Sequence, residues 1–198
     1  ANLSLMDYCT GPSFASGGFI ADSKSGVILN GSQQQWYARN TEVGNWTNAV
    51  WNQVFSGMNF TDPALAPQDS AYPNPPYTVL EKTPLNREKP YLFVDANGAY
   101  QVRVPAARTN TSGISWATGM TPGRTIPLSD FFIARPGDSV QTINNQLARG
   151  RHLLLTPGLY DVARSIEVKR ADTVVLGIGL PTLTAVNGAT PMTIADKP

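Results

Sequence analysis

The chain has 198 residues, long enough for one or two domains, and 41% of them are hydrophobic, enough for a packed core. Only 15% are charged, and 15 Lys and Arg against 14 Asp and Glu leave a net charge of +1. This balance lacks the clustered basic excess of a nucleic-acid binder, and no apolar run reaches the roughly 18 to 20 residues a membrane helix needs, so neither nucleic acid nor membrane is expected as a partner. Cys9 is the sole cysteine. It reads either as a small buried hydrophobe or as one half of a disulfide to a segment beyond this chain.

Gly (17) and Pro (16) are plentiful, the composition of short strands joined by many turns. Asn-X-Ser/Thr sequons stand at Asn2, Asn30, Asn45, Asn59 and Asn110. They make these asparagines glycosylation candidates and, with the low charge, point to a secreted protein. The opening residues read as a strand after a cut or processing site rather than as a signal peptide.

Three zones follow one another. Residues 1–60 read as short, weakly charged strands at Leu3 to Met6, Gly18 to Ala21, Gly26 to Leu29, Gln34 to Ala38 and Val50 to Phe55. They are broken at Asp22-Ser23, Asn30-Gly31, Asn40-Thr41 and Gly44-Asn45. Such strands, without two-residue hairpin signals, suit the sides of a parallel β-helix. Residues 61–128 read as a connector. It opens with a Pro-rich stretch from Asp62-Pro63 to Pro75-Pro76, stiff and unfit for a central strand. It also holds a hairpin, Tyr91 to Val94 and Tyr100 to Val104, around Asn97-Gly98, a pair that supplies positive φ angles for a tight turn. In residues 129–198, Asp138-Ser139 is an N-cap signal, Val140, Ile143 and Leu147 fall on one helix face, and Gly150 is the stop. Strands at Leu153 to Leu155, Ile166 to Val168 and Val174 to Leu176 come next.

The phrase Gly137-Asp138-Ser139, short helix, Gly150, strand, Pro157-Gly158-Leu159-Tyr160, strand, Gly177-Ile178-Gly179 resembles the start of a pectate-lyase-like right-handed β-helix. The helix would cap the first coil, whose interior and strand edges have no neighbour to cover them. Coils that finish, a linker, then a new cap and new coils resemble the two-β-helix layout of glycoside hydrolase family 55, the exo-β-1,3-glucanase group. The resemblance implies an all-β fold: the C-terminal coils of a first β-helix (1–60), a linker with a hairpin (61–128) and the helix-capped start of a second (129–198). It implies part of a secreted carbohydrate-active enzyme acting on a β-glucan-like polysaccharide, partnered by that substrate and by the remaining segments of the same parent protein. The catalytic acid is expected further along the second helix, outside this chain.

Glycosidases use two carboxylates about 5 to 10 Å apart. Among Asp7, Asp22, Glu42, Asp161, Glu167, Asp172 and Asp196, no spacing makes a persuasive pair, so the catalytic residues stay unassigned. No His, Cys or Asp grouping has metal-ligand spacing, and no cofactor is implied; His152, the only histidine, reads as structural. The best candidates for sugar contact are Trp36, Gln34, Trp51 and Asn52, because indole faces stack on pyranose rings and amides bond their hydroxyls. The alternative is that Trp36 and Trp51 plug the ends of the first β-helix, with Gln and Asn stacked in ladders within its coils. A non-catalytic cell-wall attachment protein and a polysaccharide lyase remain alternatives. The lyase would often need Ca²⁺, for which the acidic clusters are missing.

Overall fold

The computed structural model describes residues 1–5, 17–30, 35–47, 53–68 and 77–196. In chain order the strands are β1 (Leu3–Ser4), β2 (Gly18–Ala21), β3 (Lys24–Leu29), β4 (Trp36–Arg39), β5 (Glu42–Thr47), β6 (Gln53–Ser56), β7 (Asn59–Phe60), β8 (Tyr77–Leu80), β9 (Thr83–Asn86) and β10 (Tyr91–Val94). They continue with β11 (Tyr100–Pro105), β12 (Arg108–Thr111), β13 (Gly123–Pro127), β14 (Phe131–Ala134), β15 (His152–Leu155), β16 (Gly158–Val162), β17 (Ile166–Val168), β18 (Val175–Gly177), β19 (Pro181–Ala185) and β20 (Met192–Ile194). The one α-helix among the described residues, α1, is Val140–Ala148. Two compact units divide the chain: residues 1–88 with 105–122, and residues 89–104 with 123–198. Residues 61–128 are thus shared between both units.

The first unit is a parallel β-helix. Each coil gives one strand to the sheet β2-β4-β6-β8 and one to the sheet β1-β3-β5-β7. Gly18 pairs with Trp36 and Trp36 with Gln53, a rise of one coil per seventeen or eighteen residues. The corners after β2, β4 and β6 need a left-handed residue, and the sequence supplies Asp22 (φ 50°), Asn40 (φ 47°) and Gly57 (φ 59°). Asn, Asp and Gly are the residues that tolerate this conformation. Ile20, Ala38, Phe55 and Val79 share one register line and face inward. Together with Ile28, Val43 and Trp46 of the opposite sheet they form the apolar interior. Inside, the Asn30 amide donates to Gln53 Oε1 at 3.3 Å, with both residues buried.

Two elements of this unit depart from the sequence reading. β5 contains Gly44-Asn45, read above as a break. β8 follows the Pro-rich stretch and pairs in parallel with β6, so the sheet runs on beyond residue 60. A segment from Thr111 to Trp116 then runs along the stacked corners. Gly113 N–H donates to Gly57 O (2.8 Å), and Asn40 Nδ2 donates to Thr111 Oγ1 (3.0 Å). Ser115 donates through its backbone N–H and its hydroxyl to the two carboxylate oxygens of Asp22, and Trp116 Nε1 donates to Asp22 O (2.8 Å). Backbone groups that a bare corner would leave to water are satisfied in this way.

The second unit stacks the coil β15-β16-β17 under β18-β19-β20, three parallel pairs in register at Leu153 with Val175, Tyr160 with Leu183, and Ile166 with Met192. α1 starts where Ser139 Oγ accepts from Thr142 N–H (3.1 Å) and stops at Gly150, φ 90°. Its buried residues Ile143 and Leu147 join Leu153, Leu155, Tyr160, Val162 and Ile166 in the interior. The expected capping role has a polar counterpart. Asn144 accepts from Glu167 N–H (2.9 Å) and donates to Ser165 O (3.0 Å), so it satisfies the edge of β17. The Tyr160 hydroxyl is buried and donates to Ala134 O at 2.9 Å.

The hairpin β10–β11 forms as expected, with Val94 opposite Tyr100. Its turn differs: only Gly98 of the Asn97-Gly98 pair takes a positive φ (79°). The Asp95 carboxylate accepts from Asn97 and Ala99 N–H and builds a longer loop. The Ala99 bond first, then one donated by the Gln101 amide (3.1 Å), and last the Asn97 bond hold the Asp95 carboxyl below the usual carboxylate range. β13 adds a third strand, and Leu92, Val102, Val104 and Ile126 pack on Phe131, Leu154 and Leu176. The run Leu153-Leu154-Leu155 is explained: Leu153 and Leu155 face the coil interior, and Leu154 faces the hairpin sheet. A strand covered on both faces reads as continuously apolar.

Candidate functional site

Of the expected sugar contacts, Gln34, Trp51 and Asn52 lie outside the described residues, as does Cys9. Trp36 faces inward. It is partly buried, packs against the apolar interior and sets its six-membered ring where a side chain on Gly18 would stand. Its register neighbour Gln53 is also buried. Trp36 therefore takes part in the packing of the coil.

The opposite face of the same sheet carries a different cluster. Phe19 and Tyr37 are neighbours in register and remain 56% and 37% exposed. Their ring centroids are 5.3 Å apart with a 35° tilt. Two residues on, Arg39 lays its guanidinium over the Phe19 ring, 5.4 Å from the centroid. A fork-to-fork ion pair fixes that guanidinium: Nη1 lies 2.5 Å from Glu88 Oε1 and Nη2 lies 3.0 Å from Oε2. Asn86 Nδ2 donates to the same Oε1 (3.0 Å), Thr111 Oγ1 donates to Asn86 Oδ1 (2.7 Å), and Asn40 donates to Thr111. A buried polar chain thus runs from the corner ladder to the aromatic pair. None of these side chains stood among the sequence candidates. The signal that could have found Phe19 and Tyr37 is the eighteen-residue coil period, which aligns them; Glu88, in the connector zone, carried none.

Three of the other carboxylates considered have local duties. Asp22 holds Ser115, Glu42 pairs with Lys24 (2.5 Å), and Glu167 pairs with Lys169 (2.5 Å). Asp172 sits in a turn at φ 58°, and its carbonyl accepts from Arg124. Asp161 and Asp196 are exposed, and Asp7 lies outside the described residues. Among the described residues no three His, Cys, Asp or Glu side chains gather as a metal site, and no helix is long and apolar enough to cross a membrane. Asn30 is fully buried and its amide nitrogen donates to Gln53. Asn45 is half-buried. Asn2, Asn59 and Asn110 are exposed, although Asn2 Oδ1 accepts from Val27 N–H (2.9 Å).

His152 is a structural histidine. Its Nδ1 accepts from Val174 N–H at 3.0 Å and its ring lies 5.0 Å from Phe131. Burial, reinforced by Arg124, pushes its pKa below 6.5, against a weaker upward pull from Asp130 and Asp172. Because the folded pKa is the lower one, the unfolded chain takes up the proton first. Stability is complete above pH 6.5 and is lost as pH falls from there toward the folded value. As the chain has one histidine, its imidazole resonances titrate without overlap. A proton NMR titration is expected to give a midpoint below 6.5, and replacing His152 by Asn should remove the first acid-side loss in melting temperature. A midpoint at or above 6.5 would refute this account.

Three comparisons bear on this architecture. Residues 131–198 match the family model of the LAM55 pectate lyase-like domain. Across 187 residues, 94% of the chain, the sequence is 49% identical to an exo-β-1,3-glucanase of Streptomyces sp. (strain SirexAA-E / ActE), covering 30% of that protein. The solved structure of sacteLam55A from Streptomyces sp. SirexAA-E superposes with a TM-score of 0.89 at 47% identity, covering 99% of this chain and 34% of that one. A variant of the same protein, in complex with glucose, gives 0.87 over 98% of this chain. The chain spans about a third of the length of the relatives it matches. In sequence and in fold, this chain is a pectate-lyase-like, glucanase-like β-helix protein resembling glycoside hydrolase family 55.

Proposed function

We propose that the protein carrying this chain is a secreted glycoside hydrolase acting on β-1,3-glucan, and that its catalytic carboxylates lie outside these 198 residues. The observation that carries the reading is the 49% identity to an exo-β-1,3-glucanase over 94% of the chain. Three carboxylates of the first unit support the second half of it. Asp22, Glu42 and Glu88 are spent on Ser115, on Lys24 and on Arg39, whereas a general acid must be free to deliver its proton to the leaving oxygen. In this reading the chain supplies scaffold: the corner-strapped coils of one β-helix and the helix-capped, hairpin-covered start of another. Secretion is part of the proposal, supported by the low charge and by the exposed sequons at Asn59 and Asn110.

The test is incubation of the intact protein with laminarin, a β-1,3-glucan, and with pectin, the products being read by mass spectrometry. Glucose or saturated short glucans from laminarin are expected. A product eighteen mass units lighter than a hydrolysis product, the signature of elimination, would replace the reading with a lyase. Binding to laminarin without turnover would replace it with an attachment protein.

A further inference from the structure

We infer that Phe19 and Tyr37, with the Arg39–Glu88 pair beside them, form a contact for a neutral glucan chain on the outer face of the first unit. The inference rests on the glucan reading above and deepens it by naming residues that touch the polysaccharide.

Four observations carry it. Both rings are exposed on a regular sheet whose inward positions are packed, so the rings are presented by a rigid support rather than by a loop. Their centroids lie 5.3 Å apart, about one strand spacing, and their planes differ by only 35°. They thus form one contiguous aromatic patch along the stacking direction, with Arg39 over one face of Phe19, and such a patch suits the apolar C–H faces of sugar rings. The third observation is charge. The outward positions of this sheet carry one charge, that of Arg39, and Glu88 neutralises it. The face therefore carries no net charge to favour an anionic or cationic partner. The fourth is preorganisation: the bidentate ion pair and the Asn86 bond fix Arg39 against Phe19 before any ligand arrives.

The experiment is co-sedimentation of the intact protein with curdlan, an insoluble β-1,3-glucan, on ice over minutes. The proteins compared are the unaltered form, Phe19→Leu/Tyr37→Leu, and the ring-keeping pair Phe19→Tyr/Tyr37→Phe. Leucine keeps apolar bulk and removes the flat ring, and unchanged melting temperatures establish that the variants fold. The leucine pair is expected to bind about tenfold more weakly, and the ring-keeping pair to bind as the unaltered protein does. Equal binding by the leucine pair, from a protein that still binds curdlan and cleaves laminarin, overturns this contact and leaves the glucanase reading standing. An unaltered protein that neither binds curdlan nor cleaves laminarin overturns both. Self-association lost in the leucine pair, with curdlan binding intact, overturns it in favour of an interface between two copies.

Discussion

Replacing Glu88 by alanine is expected to destabilise the first unit by about 3–5 kcal/mol. The side chains of Arg39 and Glu88 are only 11% and 12% exposed, and their forked pairing is what makes a buried guanidinium tolerable. Without the carboxylate, Arg39 keeps its charge in a place water barely reaches, and Asn86 loses the acceptor of its amide. Urea unfolding measures the loss through tryptophan fluorescence, because all four tryptophans of the chain fall in the segments of the first unit. The double replacement Arg39→Met/Glu88→Leu removes both charges and should lose much less, since two apolar groups of similar volume leave no uncompensated charge behind. Glu42→Ala is the exposed control. Its partner Lys24 is 57% exposed, so water already screens the pair and the change should stay within about 1 kcal/mol. A loss in Glu88→Ala no larger than that of Glu42→Ala would show that the pair is solvated rather than buried.

The parts of the fold that could be read in advance are those whose cause is local. α1 announces itself because its cap, its apolar face and its stop are all set within Ser139 to Gly150. The hairpin strands were legible for the same reason. Their partner was not, because nothing in Leu92 or Val102 states that the surface they cover is Leu154. β5 was hidden by a glycine with a second meaning. Gly44 does not turn the chain; a Cβ there would stand 3.2 Å from the Gly26 carbonyl oxygen of the neighbouring coil, so glycine serves close backbone approach. β8 was hidden by the prolines before it, which gave no sign that the chain returns to the sheet. The site was harder still. Whether Trp36 or Tyr37 faces outward depends on a parity fixed by left-handed corners at Asp22 and Asn40. A shift of one residue exchanges the two faces. The Arg39–Glu88 pair joins positions 49 apart in sequence, a separation that no local pattern encodes.

Phe55→Ala is expected to cost the same unit a further large fraction of its stability, about 3–5 kcal/mol. Phe55 is 1% exposed and meets two aromatic rings edge-on: Trp46 at 5.2 Å and 85°, and Tyr77 at 5.8 Å and 72°. Trp46 stands on the opposite sheet and Tyr77 on the strand that rejoins after the Pro-rich stretch, so one ring ties both sheets and the returning strand together. Its register neighbours are Ala38 and Val79. Ala38 has no atoms to move into the space, and Val79 is stiff about χ1, so the void left by the benzyl group should stay largely open, the condition in which cavity losses are greatest. Leucine fills much of that volume but cannot restore the edge-to-face geometry, so Phe55→Leu should fall well short of the alanine loss. The measurement is again urea unfolding, with a second readout from the folded state. Water entering beside Trp46 should shift its emission to longer wavelength in the alanine variant and much less in the leucine variant. If the alanine variant keeps both the stability and the emission of the parent, the two sheets do not depend on this ring, and the interior described here is wrongly packed at its centre.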